Sequence, residues 1–323
     1  ASYGEEIGLV GARRLAEDRP PRARYAVVTE PTELEVVHAH KGLAAFEAVL
    51  SGPAGRLRTS GGTGWLTRVE GVSAHASTPR LGENALWRLF EAWPEQDPET
   101  AVYRVRGGLG LNVVPAEAEI LTDGHLALER SSSNAVPIQG LRPMSGGLFA
   151  AMIELSDGLR ALPSQWGEEA IFDPPGVTHN LGVADADADR AVLRFEYRLI
   201  PGVRRTEMLD ALQALALDIA VKHAAVRVDV RCTRWTDPMA ADPDGALARV
   251  AREELRGMGL PGTLATKAGC TEAAVYAGLG METIVFGAGR AIGNIHKPNE
   301  RTSVAALQHA AEFYRRLYRR LLM

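Results

Sequence analysis

The chain opens with a helix followed by a buried strand, and that pattern returns only after Asp242. This feature restricts the fold more than any other. Residues Ile7–Glu17 place apolar side chains at helical spacing, and Tyr25–Thr29 (YAVVT) is a short apolar run of the kind found in parallel strands covered on both faces. Beyond Asp242 come two helical stretches, Ala246–Gly257 and Thr271–Gly278, then the apolar run Glu282–Phe286, a glycine turn and a long amphipathic helix over Ser303–Leu322. Between the two parts the rhythm changes. Leu43–Leu50, Trp65–Glu70, Leu111–Leu121, Val192–Leu199 and Val226–Cys232 read as strands, and Asn84–Trp93, Leu148–Leu162 and Glu207–Lys222 as helices. Ala184–Asp189, which alternates Ala and Asp, is expected to be a hairpin turn. The fold class is therefore α/β: a mostly parallel sheet flanked by helices and interrupted by an α+β insertion. The expected boundaries are 1–37 and 233–323 for the α/β domain and 38–232 for the insertion.

Composition excludes several classes of function. A net charge of −4 with 24% charged residues leaves no basic surface suited to nucleic acid, and no apolar stretch is long enough to span a membrane. Two cysteines, Cys232 and Cys270, give no disulfide framework, so a cytoplasmic setting is expected. The first residue is Ala and dense sequence signal begins at once, which predicts a further segment upstream.

Ligands of open α/β sheets bind beyond the C-terminal ends of the strands. Glu30, the turn Gly287–Gly289 and His296 all follow such ends. Glu30 closes a buried strand, where a carboxylate is costly unless it is paired or bound to metal. Glu5 and Glu6 are adjacent at a helix start. They are compatible with simple dipole stabilisation, or with two carboxylates pointing about 100° apart and serving different atoms. His75 lies between a strand and a helix. His38 and His40 share one face of a strand and read as structural. Arg198 ends a strand, either as a surface ion pair or as a guanidinium fork for a substrate carboxylate. Cys270 reads better as an inert thiol than as a nucleophile.

Four motifs in order resemble one family: Glu5–Ala12, a double-glutamate helix start; Thr29-Glu-Pro-Thr32 with His40-Lys-Gly42; Ser73–Pro79 with Gly82-Glu-Asn-Ala85; and Phe286–Gly289 with His296–Glu300. They are similar to those of the dinuclear zinc aminoacylases, acetylornithine deacetylases, succinyl-diaminopimelate desuccinylases and glutamate carboxypeptidases. The resemblance implies a catalytic α/β domain and a lid of the dimerisation type. It also implies a metal-dependent hydrolase that cleaves the amide of an N-acyl amino acid or small peptide, using two zinc ions, with cobalt or manganese as alternatives. Glu5 would be the general base and acid, with Glu6, Glu30 and His296 as metal ligands. His75 would polarise the scissile carbonyl. Asn180, Arg198, Thr271, Gly287 and Gly289 would hold the substrate.

This sequence departs from the family at four points. The His-x-Asp segment and the bridging Asp are absent, so the isolated chain is expected to bind two metals poorly and to be inactive. Gly4 stands in place of an acid, Ala288 in place of a proline, and Glu272 in place of an aspartate. These changes keep a non-catalytic homologue in view. The stretch from His38 to Cys232 is long for a lid. With Leu111–Pro115 and Thr178–Gly182 it resembles the family's dipeptidase branch, in which a doubled lid makes a pseudo-dimeric monomer; a homodimer is the alternative. No nucleic-acid or membrane partner is expected.

Overall fold

The computed structural model describes residues 3–5, 8–57, 62–97, 99–291, 293–295 and 298–322. The elements run α1 (Val10–Asp18), β1 (Tyr25–Val28), β2 (Val36–His40), β3 (Gly42–Ser51), β4 (Thr63–Glu70), α2 (Ala85–Ala92), β5 (Val102–Gly107), β6 (Glu117–Thr122), β7 (Ser131–Pro137) and α3 (Gly146–Ala161). After these come β8 (Thr178–Asp187), β9 (Arg190–Leu199), α4 (Arg205–Lys222), β10 (Arg227–Thr236), β11 (Met239–Ala240), α5 (Ala246–Gly257), β12 (Leu264–Lys267), α6 (Ala273–Gly278), β13 (Glu282–Val285) and α7 (Val304–Leu322). The chain forms two compact bodies. The first comprises Ala1–Leu43, Glu169–Pro175 and Thr236–Met323, and the second Ala44–Glu168 and Gly176–Trp235.

The first body is a three-layer α/β unit. Its sheet runs β1-β13-β2-β11, with β12 also paired to β2. Pairing is mixed: β1–β13 and β12–β2 are parallel, while β13 and β11 run antiparallel to β2. The pleat divides the apolar runs between two layers. Val36, Ile284 and Phe286 pack on α5 and α7 through Leu247, Ala251, Phe313 and Leu317. Val37 and Val285 face the other way, onto Ala273 of α6. Alternation within a continuously apolar strand explains why YAVV and ETIV carry no polar face. The first helix begins at Val10, later than Ile7, because Gly8 and Leu9 both have positive φ.

The second body is an eight-stranded sheet in the order β10-β3-β9-β8-β5-β6-β4-β7, and every strand pairing with a resolved register is antiparallel. Counting strands within each half reveals a palindrome. The half β3-α3-β8-β9-α4-β10 lies in space as its strands 4-1-3-2, and the half β4-α2-β5-β6-β7 continues as 2-3-1-4. The second half is inserted between β3 and α3 and has no second α-helix among the described residues. The two halves join at β5–β8, which are antiparallel with Arg104 opposite Asp187 and Gly107 opposite Ala184. The packing of Phe46 on Phe195 and Tyr197 marks the core of the β3 half.

Two sequence expectations are corrected here. Ala184–Asp187 belongs to β8, and only Ala188 and Asp189 turn. The alternation of Ala and Asp records a strand with one dry and one wet face: Ala184 and Ala186 are buried, while Asp185 and Asp187 meet Arg106 across the joint. The predicted strand Leu111–Leu121 forms only from Glu117. Residues 111–116 instead form a strap that adds no strand to the sheet; Pro115 has no N–H to give to a ladder.

Candidate active site

Glu30 leaves the C-terminal end of β1 with its side chain 22% exposed. Lys267, at the end of β12, donates Nζ–H to its Oε2 at 3.2 Å. The other carboxylate oxygen has no partner among the described residues, so Glu30 fits the role of an oxygen ligand for a divalent cation. Lys267 was not singled out from the sequence. Its partner lies 237 residues away, and no local pattern announces the pairing.

The turn after β13 is clasped to the strand end that carries Glu30. A Cβ on Gly287 would lie 2.5 Å from the Glu30 carbonyl oxygen, so only glycine allows this approach. Gly287 N–H donates to Thr32 Oγ1 at 3.0 Å, and Thr32 Oγ1 donates to the Glu35 carbonyl at 2.8 Å. The N–H of Gly287, a residue expected to hold the substrate, is thus engaged within the fold. Gly289 has φ +95°, and its carbonyl accepts from Glu33 N–H. Thr271 is 1% exposed, and its Oγ1 accepts from Ala273 N–H at the start of α6, so its hydroxyl is also engaged locally.

Glu5 lies in the turn before α1 and its carbonyl accepts from Gly8 and Leu9 N–H. Gly4 has φ +64°, a conformation that favours glycine. Glu6 and His296 lie outside the described residues. Among the described residues no three His, Cys, Asp or Glu side chains gather as a metal site.

His38 and His40 are both buried. His40 Nδ1–H donates to the Lys41 carbonyl at 2.9 Å, and its Nε2 is buried without a described partner. Burial, with the Lys267 charge adding to it, pulls the His40 pKa down to about 4.

In the second body, His75 Nδ1 accepts the Ser77 backbone N–H at 3.1 Å. A backbone N–H can only donate, so the neutral ring carries its proton on Nε2. His75 pairs with Val113 of the strap as an isolated antiparallel bridge. Asn180, on β8, is 1% exposed. Its Nδ2 donates to the Leu111 and Val113 carbonyls at 3.0 and 3.1 Å. Asn84 caps α2, accepting from Leu86 and Trp87 N–H, and donates from Nδ2 to the Leu181 carbonyl at 2.8 Å and to Asn180 Oδ1 at 3.5 Å. The second body therefore links His75, Asn84 and Asn180 through one strap. Arg198, on β9, donates from Nε and Nη2 to Glu196 Oε1, 2.7 Å away in each case. Its guanidinium is buried against a carboxylate of the same strand rather than forming the surface pair considered from sequence. Its Nη1 has no partner among the described residues.

His179 was not assigned a role from the sequence. Its ring packs on Trp87, Phe195 and Tyr197, and neither nitrogen has a described partner. Burial, assisted by the Arg160 charge, holds its pKa at about 3.

Comparison with known proteins identifies the family. The profile of peptidase family M20/M25/M40 matches residues 1–320. The chain belongs to this family. A probable carboxypeptidase of Aspergillus flavus is 26% identical over 196 residues, covering 53% of this chain and 40% of that protein. Acetylornithine deacetylase of Myxococcus xanthus is 35% identical over 124 residues, covering 37% of this chain and 31% of that enzyme. The chain thus spans well under two thirds of either relative. Aminoacylhistidine dipeptidase from Vibrio alginolyticus shares the fold, with a TM-score of 0.68 at 14% identity, covering 93% of this chain and 66% of that one. M20 proteins are metal-dependent, usually on zinc. No helix among the described residues is long and apolar enough to cross a membrane.

Proposed function

We propose that this M20 chain serves a metal-dependent amidohydrolase that cleaves the amide bond of an N-acyl amino acid or dipeptide. The observation that carries this reading is Glu30: a carboxylate at the exit of a sheet strand, half-buried, with one oxygen held by an ammonium and the other without a partner among the described residues. Glu6, Glu30 and His296 would contribute to holding two zinc ions, for which cobalt or manganese could substitute. When bound, the metals polarise the amide carbonyl and make water a better nucleophile. Glu5 takes the proton of the attacking water and returns it to the leaving amine. His75 offers Nε2–H to the developing oxyanion, a contribution of about 3 kcal/mol for one such donor. Arg198, anchored on Glu196, turns its remaining edge to a substrate carboxylate, a fork-to-carboxylate match that lysine would not reproduce. Thr271, Gly287 and Gly289 would hold the substrate, Gly287 by shaping the turn, since its N–H is taken by Thr32 Oγ1. A reducing compartment, the cytoplasm, suits the two free cysteines.

The test is hydrolysis of N-acetyl amino acids and dipeptides by the intact protein, with its metal content measured alongside. Activity is expected to vanish on chelation, to return with zinc, and to survive alkylation of Cys270. Activity that resists chelators and is lost on alkylation would assign the chemistry to the thiol. A protein that binds metal and hydrolyses neither substrate class would be a non-catalytic homologue.

A second reading, the dipeptidase branch, is favoured by the palindromic sheet. One chain already contains the edge-to-edge joint that two lids would otherwise form between subunits, so the intact protein is expected to sediment as a monomer. A concentration-independent dimer would count against that branch.

A further inference from the structure

We propose that Asn84 and Asn180 are positioning residues for His75, and that Asn180 is not a substrate contact. The inference deepens the hydrolase reading, on which the role of His75 rests. It starts from hydrogen-bond capacity. A side-chain amide offers two N–H donors and one carbonyl acceptor. Asn180 has both donors on the Leu111 and Val113 carbonyls and its oxygen toward Asn84 Nδ2, and it is 1% exposed. Flipping the amide would set its oxygen against two carbonyls, so the orientation is fixed by the strap itself. A substrate could take a donor from Asn180 only by uncovering one of those carbonyls.

The strap carries the effect onward. Val114 N–H donates to the Ala74 carbonyl and Ala76 N–H to the Asn112 carbonyl, each at 2.9 Å, so the residues on either side of His75 are sewn to it. At the far end Asn84 ties the network to the first turn of α2. The path also crosses the joint of the palindrome. Asn180 lies on β8 of one half, whereas Asn84, the strap and His75 all belong to the other. Shape at His75 is thereby fixed by both halves, and no residue in the path needs to touch substrate.

The deciding experiment uses two variants of the intact protein. Asn84→Ser keeps a helix-capping oxygen but cannot span to Leu181 and Asn180. Asn180→Leu keeps the volume and removes both donors. In each, ring NMR signals of His75 are expected to change from a single Nε2–H form to a tautomer mixture, while those of His309 stay in place. With an N-acyl amino acid as substrate, kcat is expected to fall by about a hundredfold with KM little changed, the signature of a displaced group rather than a lost contact. Unmoved His75 signals in both variants would overturn the proposal, as would a raised KM with unaltered kcat in Asn180→Leu. If Asn180→Leu does not fold, Asn84→Ser decides alone. If the parent protein hydrolyses nothing, the hydrolase reading fails, while the ring signals still decide the positioning network.

Discussion

Replacing Glu196 by alanine is expected to destabilise the second body by about 3–5 kcal/mol, because it leaves the Arg198 guanidinium buried and uncompensated. The side chains of Arg198 and Glu196 are only 7% and 3% exposed, so water would replace the missing partner poorly. Burial pushes the Glu196 carboxyl up from its ordinary range while Arg198 opposes that shift, which is the pattern of a pair held together at the expense of hydration. The double change Glu196→Met with Arg198→Met removes both charges and keeps apolar bulk. It is expected to recover most of the loss, since apolar replacements of buried pairs are often neutral or better. Urea midpoints of the parent, the single variant and the double variant provide the measurement. A single variant within about 1 kcal/mol of the parent, on the scale of an exposed pair, would show that water reaches the pair.

The other large effect expected is a loss of stability on mild acidification. His40 and His179 have folded pKa values of about 4 and about 3, both below the ordinary 6.5. The unfolded chain takes up protons below 6.5 and the folded chain does not, so both contributions are complete above 6.5 and decline as pH falls toward the folded values. Each group changes stability by about 1.4 kcal/mol per pH unit, so at about pH 5 the two together remove about 4 kcal/mol. The histidines lie in different bodies. His179→Leu is therefore expected to flatten the acid response of the second body and leave that of the first. Unfolding midpoints unchanged between about pH 7.5 and about pH 5 would contradict this account.

These residues also show what is legible in an amino-acid sequence. Asn84 could be read as a helix start because capping is local, and the structure gives it both cap bonds. Glu30 stood out because a carboxylate after an apolar strand is conspicuous. Lys267, Glu196 as the anchor of Arg198, and His179 were not legible. Lys267 owes its role to a partner from a distant strand. Glu196 is indistinguishable from ordinary strand alternation until its burial is known. His179 and Asn180 are consecutive polar residues on one strand, and both are buried because β8 is covered on its two faces there. A period-two pattern cannot register that arrangement. The Ala–Asp run misled for the opposite reason: composition suggested a turn, while its alternation was that of a strand.

A seam closed within one polypeptide has a genetic consequence that a seam between identical subunits lacks. In a symmetric pair, any substitution strikes both copies at once, and each must suit two settings. Here a change on β5 meets a different sequence on β8. Each side of the seam can drift on its own, and one end of the sheet can keep ligand-facing chemistry while the other is given over to holding shape.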